Sequence, residues 1–469
     1  MFFNSIKFLC FFPIVLLLYY IIPSKYNAIK NIFILLASYV FYMAFKPALA
    51  LVLALVTLLT YLFAIWVDSA KNKKRNVLIV FFVIASLLPL LIFKYYNFLN
   101  DSLALLLAKL GISLSVPGLN LSVPIGISFF TFQALSYLLD VYYKKTKPQK
   151  NLLNYALYVS FFPSIVCGPI NRANNLLPQI ENPRKYFDYN KAVSGAKMLL
   201  WGMFLKVVIA DNAGIYVDMI YEYYYWRTSL GCLLAAVMYS VQIYADFAGY
   251  SLMAIGCGKI LGFSLQENFR RPYFAVSFTD FWHRWHISLS SWLRDYVYIP
   301  LKGSRCSKAR NYFNIFVTFL ISGIWHGAAF TFIFWGVIHG VVQIIEKFFD
   351  IQKLKTTNKI VIALRIVVCF LLITFAWVFF RMPDLSSAFC VIEKIFSFSG
   401  GWNCELPQTF LLVMIGIMFL KDFADEFAPN LFSFVKKNLF LRYVVYVLLI
   451  CLIVMYGAFD NGQFIYANF

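Results

Sequence analysis

The chain has 469 residues, of which 62% are hydrophobic and only 13% charged, far from the composition of a soluble globular domain. Its 41 basic and 21 acidic side chains give a formal net charge of +20. In so apolar a chain the excess lysine and arginine belongs in short loops that orient membrane helices and touch anionic lipid, so nucleic acid is not the expected partner.

Apolar runs able to cross about 30 Å of hydrocarbon recur near 5–22, 29–45, 48–68 and 77–99 and continue to 459, about eleven in all. No ten-residue alternation appears, so helices must satisfy the backbone in lipid. The expected fold is all-α and polytopic, with amphipathic or re-entrant helices between the spans. The first run lacks a small-residue cleavage site and leads directly into further spans, so it reads as a retained helix. Lys71, Lys73, Lys74 and Arg75 follow the third run, and Lys144, Lys145, Lys147 and Lys150 follow the run that begins near Ser122. Placing both clusters in the cytoplasm puts the N-terminus outside and Lys25 and Lys30 inside. No linker and no repeat of 20 to 50 residues interrupts the chain, which reads as a single integral membrane domain over 1–469. The nine cysteines (Cys10, Cys167, Cys232, Cys257, Cys306, Cys369, Cys390, Cys404, Cys451) show no CxxC spacing and read as buried small hydrophobes.

Between 161 and 310 the runs are broken by Pro163, Pro169, Arg172, Asp211, Asp246, Arg270, Arg271, Pro272, Asp280, Arg284, Arg294, Asp295 and Pro300. Irregular backbone and ionisable groups survive at membrane depth only where protein or a wet cavity surrounds them, so the functional cavity is sought here. The stretch FTDFWHRWHISLSSWLRDYVYIP (278–300) holds two of the chain's four histidines. Ser277 and Asp280 have the spacing of a capping box and Pro300 supplies a stop, which predicts one helix over 278–299. On a wheel begun at Trp282, the side chains Trp285, Leu289, Trp292, Leu293 and Tyr296 fall within about 100°, with His286 at the edge near 40°. His283, Arg284 and Arg294 lie on the polar side. His283 is therefore expected on a solvated face, whereas His286 borders the tryptophans, where an imidazole needs a partner or a purpose.

The other histidines occur in LISGIWHGAAFTFIFWGVIHG (320–340). Ser322 and Gly323 precede His326 by one turn and Ala329 and Phe330 follow it, leaving a groove suited to a packed helix or a narrow ligand. An ionisable group in such a segment marks function. His339 lies about 220° further round an unbroken helix, cannot share a site with His326 from that helix, and reads as structural. No HExxH or ExxH pattern supports a metal, and Walker, GxGxxG and GxSxG motifs are absent. What remains is general-base chemistry, in which a neutral imidazole takes a proton from a hydroxyl attacking a thioester.

FWHRWHISLSSWLRDYVYIPLKGSR followed by SGIWHGAAFTFIFWGVIHG resembles the membrane-bound O-acyltransferase family. The likeness is to its bacterial branch of alginate and peptidoglycan O-acetyltransferases and the teichoic-acid D-alanine transfer protein. VPIGISFFTFQALSYLLDVY (123–142), FFPSIVCGPINR (161–172), GMFLKVVIADN (202–212), YADFAGYSLMAIG (244–256) and NFRRPYFAVSFTDFW (268–282) are similar to stretches of that branch in the same order, making 120–345 the core that carries the motifs.

The resemblance implies helices ringed around a central tunnel, His326 of the WHG motif as the catalytic histidine and His286 of WHISLS as the second active-site residue. The family usually has arginine at the position of His283, in keeping with its place on the wheel. Leu252 stands where the alginate enzymes commonly have aspartate, and Lys302 with Ser304 replaces part of the usual PLGGNR, which leaves the polysaccharide open rather than the chemistry.

Arg270, Arg271, Arg294, Lys302 and Arg305, with Lys308 and Arg310, would be candidates for the phosphates of an acyl-CoA. Positive-inside anchoring is the alternative for 302–310. No permanently bound cofactor is implied; acetyl-CoA or another acyl thioester is the donor substrate. The implied activity passes an acetyl group from a cytoplasmic thioester across the bacterial inner membrane, for O-acetylation of a peptidoglycan or alginate-like polysaccharide. A periplasmic esterase-like partner would finish the transfer, because the sequence shows no external domain able to grip a polymer. Two alternatives stay open: a transporter or flippase of an acylated or lipid-linked intermediate, and direct acylation of a lipid or protein hydroxyl. No serine or cysteine stands out as a nucleophile, which favours direct transfer or hand-off at His326.

Overall fold

Helices follow from the apolar runs because a backbone in lipid must pair its own N–H and C=O groups. The computed structural model describes residues 1–112, 116–183, 187–354, 356–398, 404–459 and 465, and the regular elements among them are all helical. Among the described residues, seven helical stretches are long and apolar enough to cross a membrane: Pro47–Ser69, Lys73–Lys109, Tyr189–Tyr221, Ser229–Ile260, Phe330–Phe348, Lys359–Arg381 and Leu439–Tyr456. Ile6–Ile21 and Asn27–Met43 are apolar but shorter. The count of about eleven read from hydropathy includes runs that fall short in length or carry too many polar groups to meet both tests. Large apolar side chains such as Leu51, Leu371 and Val447 stand exposed on these helices, the kind of surface that a bilayer covers.

The chain forms two compact units, Met1–Ala196 with Ala254–Gln266, and Lys197–Met253 with Glu267–Phe469. The first contains α1 (Ile6–Ile21), α2 (Asn27–Met43), α3 (Ala50–Ser69), α4 (Asn72–Leu90), α5 (Tyr96–Lys109), α6 (Ile127–Tyr142), α7 (Leu152–Ser160), α8 (Phe162–Ile165) and α9 (Ala173–Glu181). Phe63 of α3 stacks on Phe82 of α4 with ring centres 4.1 Å apart. Nearly every side chain of α6 is buried, so its polar residues need internal partners. Gln133 supplies them, binding the Tyr158 carbonyl through its amide and accepting the Asn171 N–H at 3.1 Å. Tyr158 in turn donates to the Asn171 carbonyl at 2.9 Å. These bonds pin the irregular CGPINR segment.

The second unit is built from α11 onward, with α10 (Tyr189–Met203) and α12 (Ser229–Ile260) each divided between the units. Its other helices are α11 (Asp211–Tyr221), α13 (Phe278–Arg284), α14 (Ile287–Leu293), α15 (Lys308–His326), α16 (Phe330–Phe348), α17 (Lys359–Arg381), α18 (Leu385–Ser397), α19 (Thr409–Phe427), α20 (Ser433–Lys437) and α21 (Leu439–Tyr456). The run containing both His326 and His339 is two helices, because Gly327 is extended and ends α15. A Cβ on Gly327 would lie 2.1 Å from the Phe332 ring. Where α15 and α16 cross, a Cβ on Gly323 would lie 2.3 Å from the Phe332 carbonyl oxygen, and one on Gly336 2.6 Å from that of Phe319. Small residues let two backbones approach in this way, and the groove foreseen beside His326 is filled by α16.

The single helix expected over 278–299 is corrected by the structure. α13 ends at Arg284, Trp285 is extended, His286 adopts φ 44° and ψ 53°, and α14 begins at Ile287; a π-helical turn, Arg294–Tyr298, follows. The cause is pairing with the preceding segment. Ile287 N–H donates to the Asn268 carbonyl at 2.9 Å instead of to His283, and the Arg284 carbonyl accepts the Arg270 N–H at 2.9 Å. Ser277 caps α13 by accepting the Asp280 N–H at 3.1 Å. The Asp280 carboxylate reaches back to Val276 N–H rather than to that of Ser277. The cysteines are all free, but only Cys167, Cys232, Cys257 and Cys369 are buried, while Cys10 and Cys451 are exposed on α1 and α21.

Candidate functional site

His326 is the last residue of α15 and is only 3% exposed. Among the described residues, Trp325, Trp335 and Phe380 stand edge-on to it, with ring centres at 4.9, 5.0 and 5.1 Å. Water is thereby kept from the ring while its position stays fixed by the crossing of α15 and α16.

His286, at the joint between α13 and α14, is fully buried. Its ring meets Phe247 at 4.6 Å and Trp325 at 5.9 Å, so Trp325 touches both imidazoles. Nδ1 of His286 is 3.3 Å from Oδ1 of Asn268. The same oxygen accepts from Ser288, at 2.8 Å from Oγ and 3.2 Å from the backbone N–H. Asn268 Nδ2 donates to Ser251 Oγ at 3.1 Å. The joint lies outside the seven candidate spans, and burial there pushes the His286 imidazole down from 6.5 to about 3. It is therefore neutral at neutral pH, the form able to accept a proton.

The remaining histidines differ in burial. His283 is exposed. His339 is buried on α16 against Trp335 and Trp282, with ring centres 4.4 and 5.2 Å away, and its Nδ1 accepts the Trp282 indole N–H at 3.2 Å.

The cations expected to meet donor phosphates do not form one set. Arg270 pairs with Glu267 at 2.9 Å, Arg271 with Glu426 at 2.6 Å, and Arg294 with Asp295 at 2.9 Å. Lys302 and Arg305 are exposed on a turn whose Gly303 carbonyl is clamped by the amides of Asn311 and Asn314 at 2.8 and 3.0 Å. These two present charge without a carboxylate partner among the described residues.

No local sequence pattern marks three residues that brace the segments around His286, nor the buried ion cluster of Lys206. Asn268 stands two residues before the paired arginines Arg270 and Arg271, in a position that no helical or strand period marks. Glu426 on α19 holds both Arg271 and Arg284, the latter at 2.8 Å, and so ties α13 to the preceding segment over 268–271 that pairs with it. Glu346 on α16 accepts the Phe278 and Thr279 N–H groups at 2.6 and 3.0 Å, capping α13 from a distant helix. Lys206 lies 2.7 Å from both Asp211 and Asp246, with all three side chains buried. Of two cavities among the described residues, one is bordered by Asp68, Lys147 and Glu181 and the other by Trp226, Arg227 and Glu405, and neither lining includes an imidazole.

The arrangement offers two enclosed imidazoles sharing one tryptophan, on a helical membrane scaffold. The chain matches the family described as MBOAT, membrane-bound O-acyltransferase family, over residues 34–383. It is 38% identical over 406 residues to the probable alginate O-acetylase AlgI of Pseudomonas aeruginosa, covering 86% of this chain and 76% of that protein. It is 32% identical over 435 residues to the peptidoglycan O-acetyltransferase of Helicobacter pylori, covering 87% and 82%. It is 30% identical over 325 residues to the teichoic acid D-alanyltransferase of Bacillus subtilis, covering 66% and 80%. The chain belongs to the membrane-bound O-acyltransferase family.

Proposed function

We propose that this acyltransferase takes an acetyl group from a cytoplasmic thioester such as acetyl-CoA and delivers it across the bacterial inner membrane. The product is an O-acetylated cell-envelope polysaccharide, with a separate periplasmic partner completing the transfer. The observation that carries this reading is the pairing of His326 and His286 about Trp325 in a water-poor aromatic surround. A neutral imidazole there can take the proton of an attacking hydroxyl, whose oxygen bonds to the thioester carbonyl carbon. The carbon–sulfur bond then breaks and the departing thiolate recovers the proton. His326 is the proposed base and His286 the second active-site residue.

The names of the relatives, which span alginate and peptidoglycan O-acetylation, support acetyl as the group moved and a glycan as its destination. Lys302 and Arg305 are the proposed contacts for donor phosphates, since Arg270, Arg271 and Arg294 already serve carboxylates. The N-terminus is assigned to the outer face from the loop charges.

Purified protein in vesicles, given radiolabelled acetyl-CoA, tests the reading against transport of an intact donor. Label released from the thioester by the wild type and retained with His326→Ala supports acyl transfer. Intact labelled acetyl-CoA accumulating inside the vesicles would overturn it.

A further inference from the structure

We infer that Asn268 is a positioning residue that selects the tautomer of His286, holding its hydrogen on Nδ1 so that Nε2 is the nitrogen able to take a proton. The inference rests on the proposed role of His286 and adds which of its two nitrogens acts and what decides it.

The argument starts from the amide. Asparagine presents one oxygen that only accepts and one nitrogen that only donates, and the two ends look alike unless the neighbours tell them apart. Here they do. The backbone N–H of Ser288, a group that can only donate, points at one end from 3.2 Å, so that end is the oxygen. Nδ1 of His286 faces the same oxygen at 3.3 Å, and two acceptors cannot bond. Nδ1 must therefore carry the hydrogen, and in a neutral ring this leaves the lone pair on Nε2.

The amide itself has little freedom to turn. Its nitrogen donates to Ser251 Oγ on α12 at 3.1 Å, and its oxygen also takes the Ser288 hydroxyl at 2.8 Å. The backbone of the same residue accepts Ile287 N–H at 2.9 Å, one of the bonds that break the helix at His286. Asn268 thus sets both the backbone bend that carries the imidazole and the side-chain bond that orients it. A hydrogen-bonded partner commonly fixes the tautomer of a working histidine in this way. The neutral amide has a further consequence: unlike a carboxylate in the same place, it orients the ring without raising its basicity.

Nitrogen-15 NMR of the full chain in bilayers, labelled at histidine, reads the tautomer directly; the His286 signals are assigned by their loss in His286→Asn. The expected result in the wild type is a protonated Nδ1 and an unprotonated Nε2. A protonated Nε2 with a bare Nδ1 would overturn the inference, whatever the donor proves to be. Kinetics on the labelled acetyl-CoA assay give the second arm. Asn268→Leu is expected to lower kcat on the order of 10³-fold with KM within about threefold. Asn268→Asp, which keeps an acceptor and adds a charge, should retain activity and move the titration of the His286 ring, read from its nitrogen-15 signals, to higher pH by about one unit or more. A His286 titration in Asn268→Asp that coincides with the wild type would contradict the proposal, because it would mean that the side chain at 268 does not face Nδ1. Loss of acetyl-CoA turnover in the wild type with the expected NMR pattern would defeat the proposed reaction and leave the tautomer assignment standing.

Discussion

The indole N–H of Trp282 donates to Nδ1 of His339 at 3.2 Å, joining α13 to α16 through two buried rings set edge to face at 5.2 Å. Because Nδ1 accepts, this imidazole carries its hydrogen on Nε2 and serves as a buried acceptor. Trp282→Phe keeps an aromatic ring but leaves that acceptor unsatisfied, which costs about 1–3 kcal/mol. The unfolding midpoint in detergent should fall, while acyl transfer per folded molecule stays within about threefold of the wild type. A large loss of turnover in stably folded Trp282→Phe would place His339 in the reaction itself.

Gly323 and Gly416 offer a matched pair of alanine substitutions. A Cβ at Gly323 meets the Phe332 carbonyl oxygen at 2.3 Å and the Gly336 Cα at 3.1 Å, whereas one at Gly416 meets nothing within 4 Å. Backbone atoms cannot rotate away, so Gly323→Ala must part α15 from α16, at a cost of about 1–3 kcal/mol. Gly416→Ala removes unfolded-chain freedom at an open helical site and should be neutral or stabilising by up to about 1 kcal/mol. Unfolding midpoints of the two variants, measured side by side, check the contrast.

The cations divide into two kinds with different expected phenotypes. Replacing both Lys302 and Arg305 with glutamine should raise KM for acetyl-CoA on the order of 10-fold with kcat nearly unchanged, and the difference should shrink at high salt. Arg271→Gln instead removes one of two partners from Glu426 and should lower the unfolding midpoint. Donor titrations at low and high ionic strength, beside thermal melts, separate the two.

His286 also makes stability depend on pH. Its folded value of about 3 lies below the ordinary 6.5, so between those limits the unfolded chain binds more protons. Stability therefore rises with pH through that window and is lost on acidification. At pH 5 the loss attributable to this residue is about 2 kcal/mol. Asparagine tolerates the left-handed backbone found at 286, so His286→Asn should fold and show a shallower fall in midpoint from pH 7 to pH 5. Parallel curves for the two proteins would contradict the assignment.

Much of this architecture was legible in the sequence, for identifiable reasons. Hydropathy exposes helices because lipid forbids unpaired backbone, and the exposure of His283 beside the burial of His286 followed from their neighbours. The break at His286 was hidden, since Trp282, Trp285, Leu289 and Trp292 continue a helical period straight through it. What bends the chain is a bond from Ile287 to Asn268, a partner that a wheel does not contain. Lys206 and Asp211 were hidden differently. Five residues apart on an α-helix they would face about 140° from each other, and a π-helical turn over Phe204–Ala210 accompanies the bond that joins them. Glu346 and Glu426 act on α13 from far along the chain, where no local pattern reports them.

The most direct test of the central claim is base-labile acetate on envelope polysaccharide from cells that carry this chain either intact or as His326→Ala, with equal amounts of folded protein in their membranes. The account predicts acetate on the polymer with the intact chain and none above background with the variant. Acetylation at the wild-type level in the variant would contradict it.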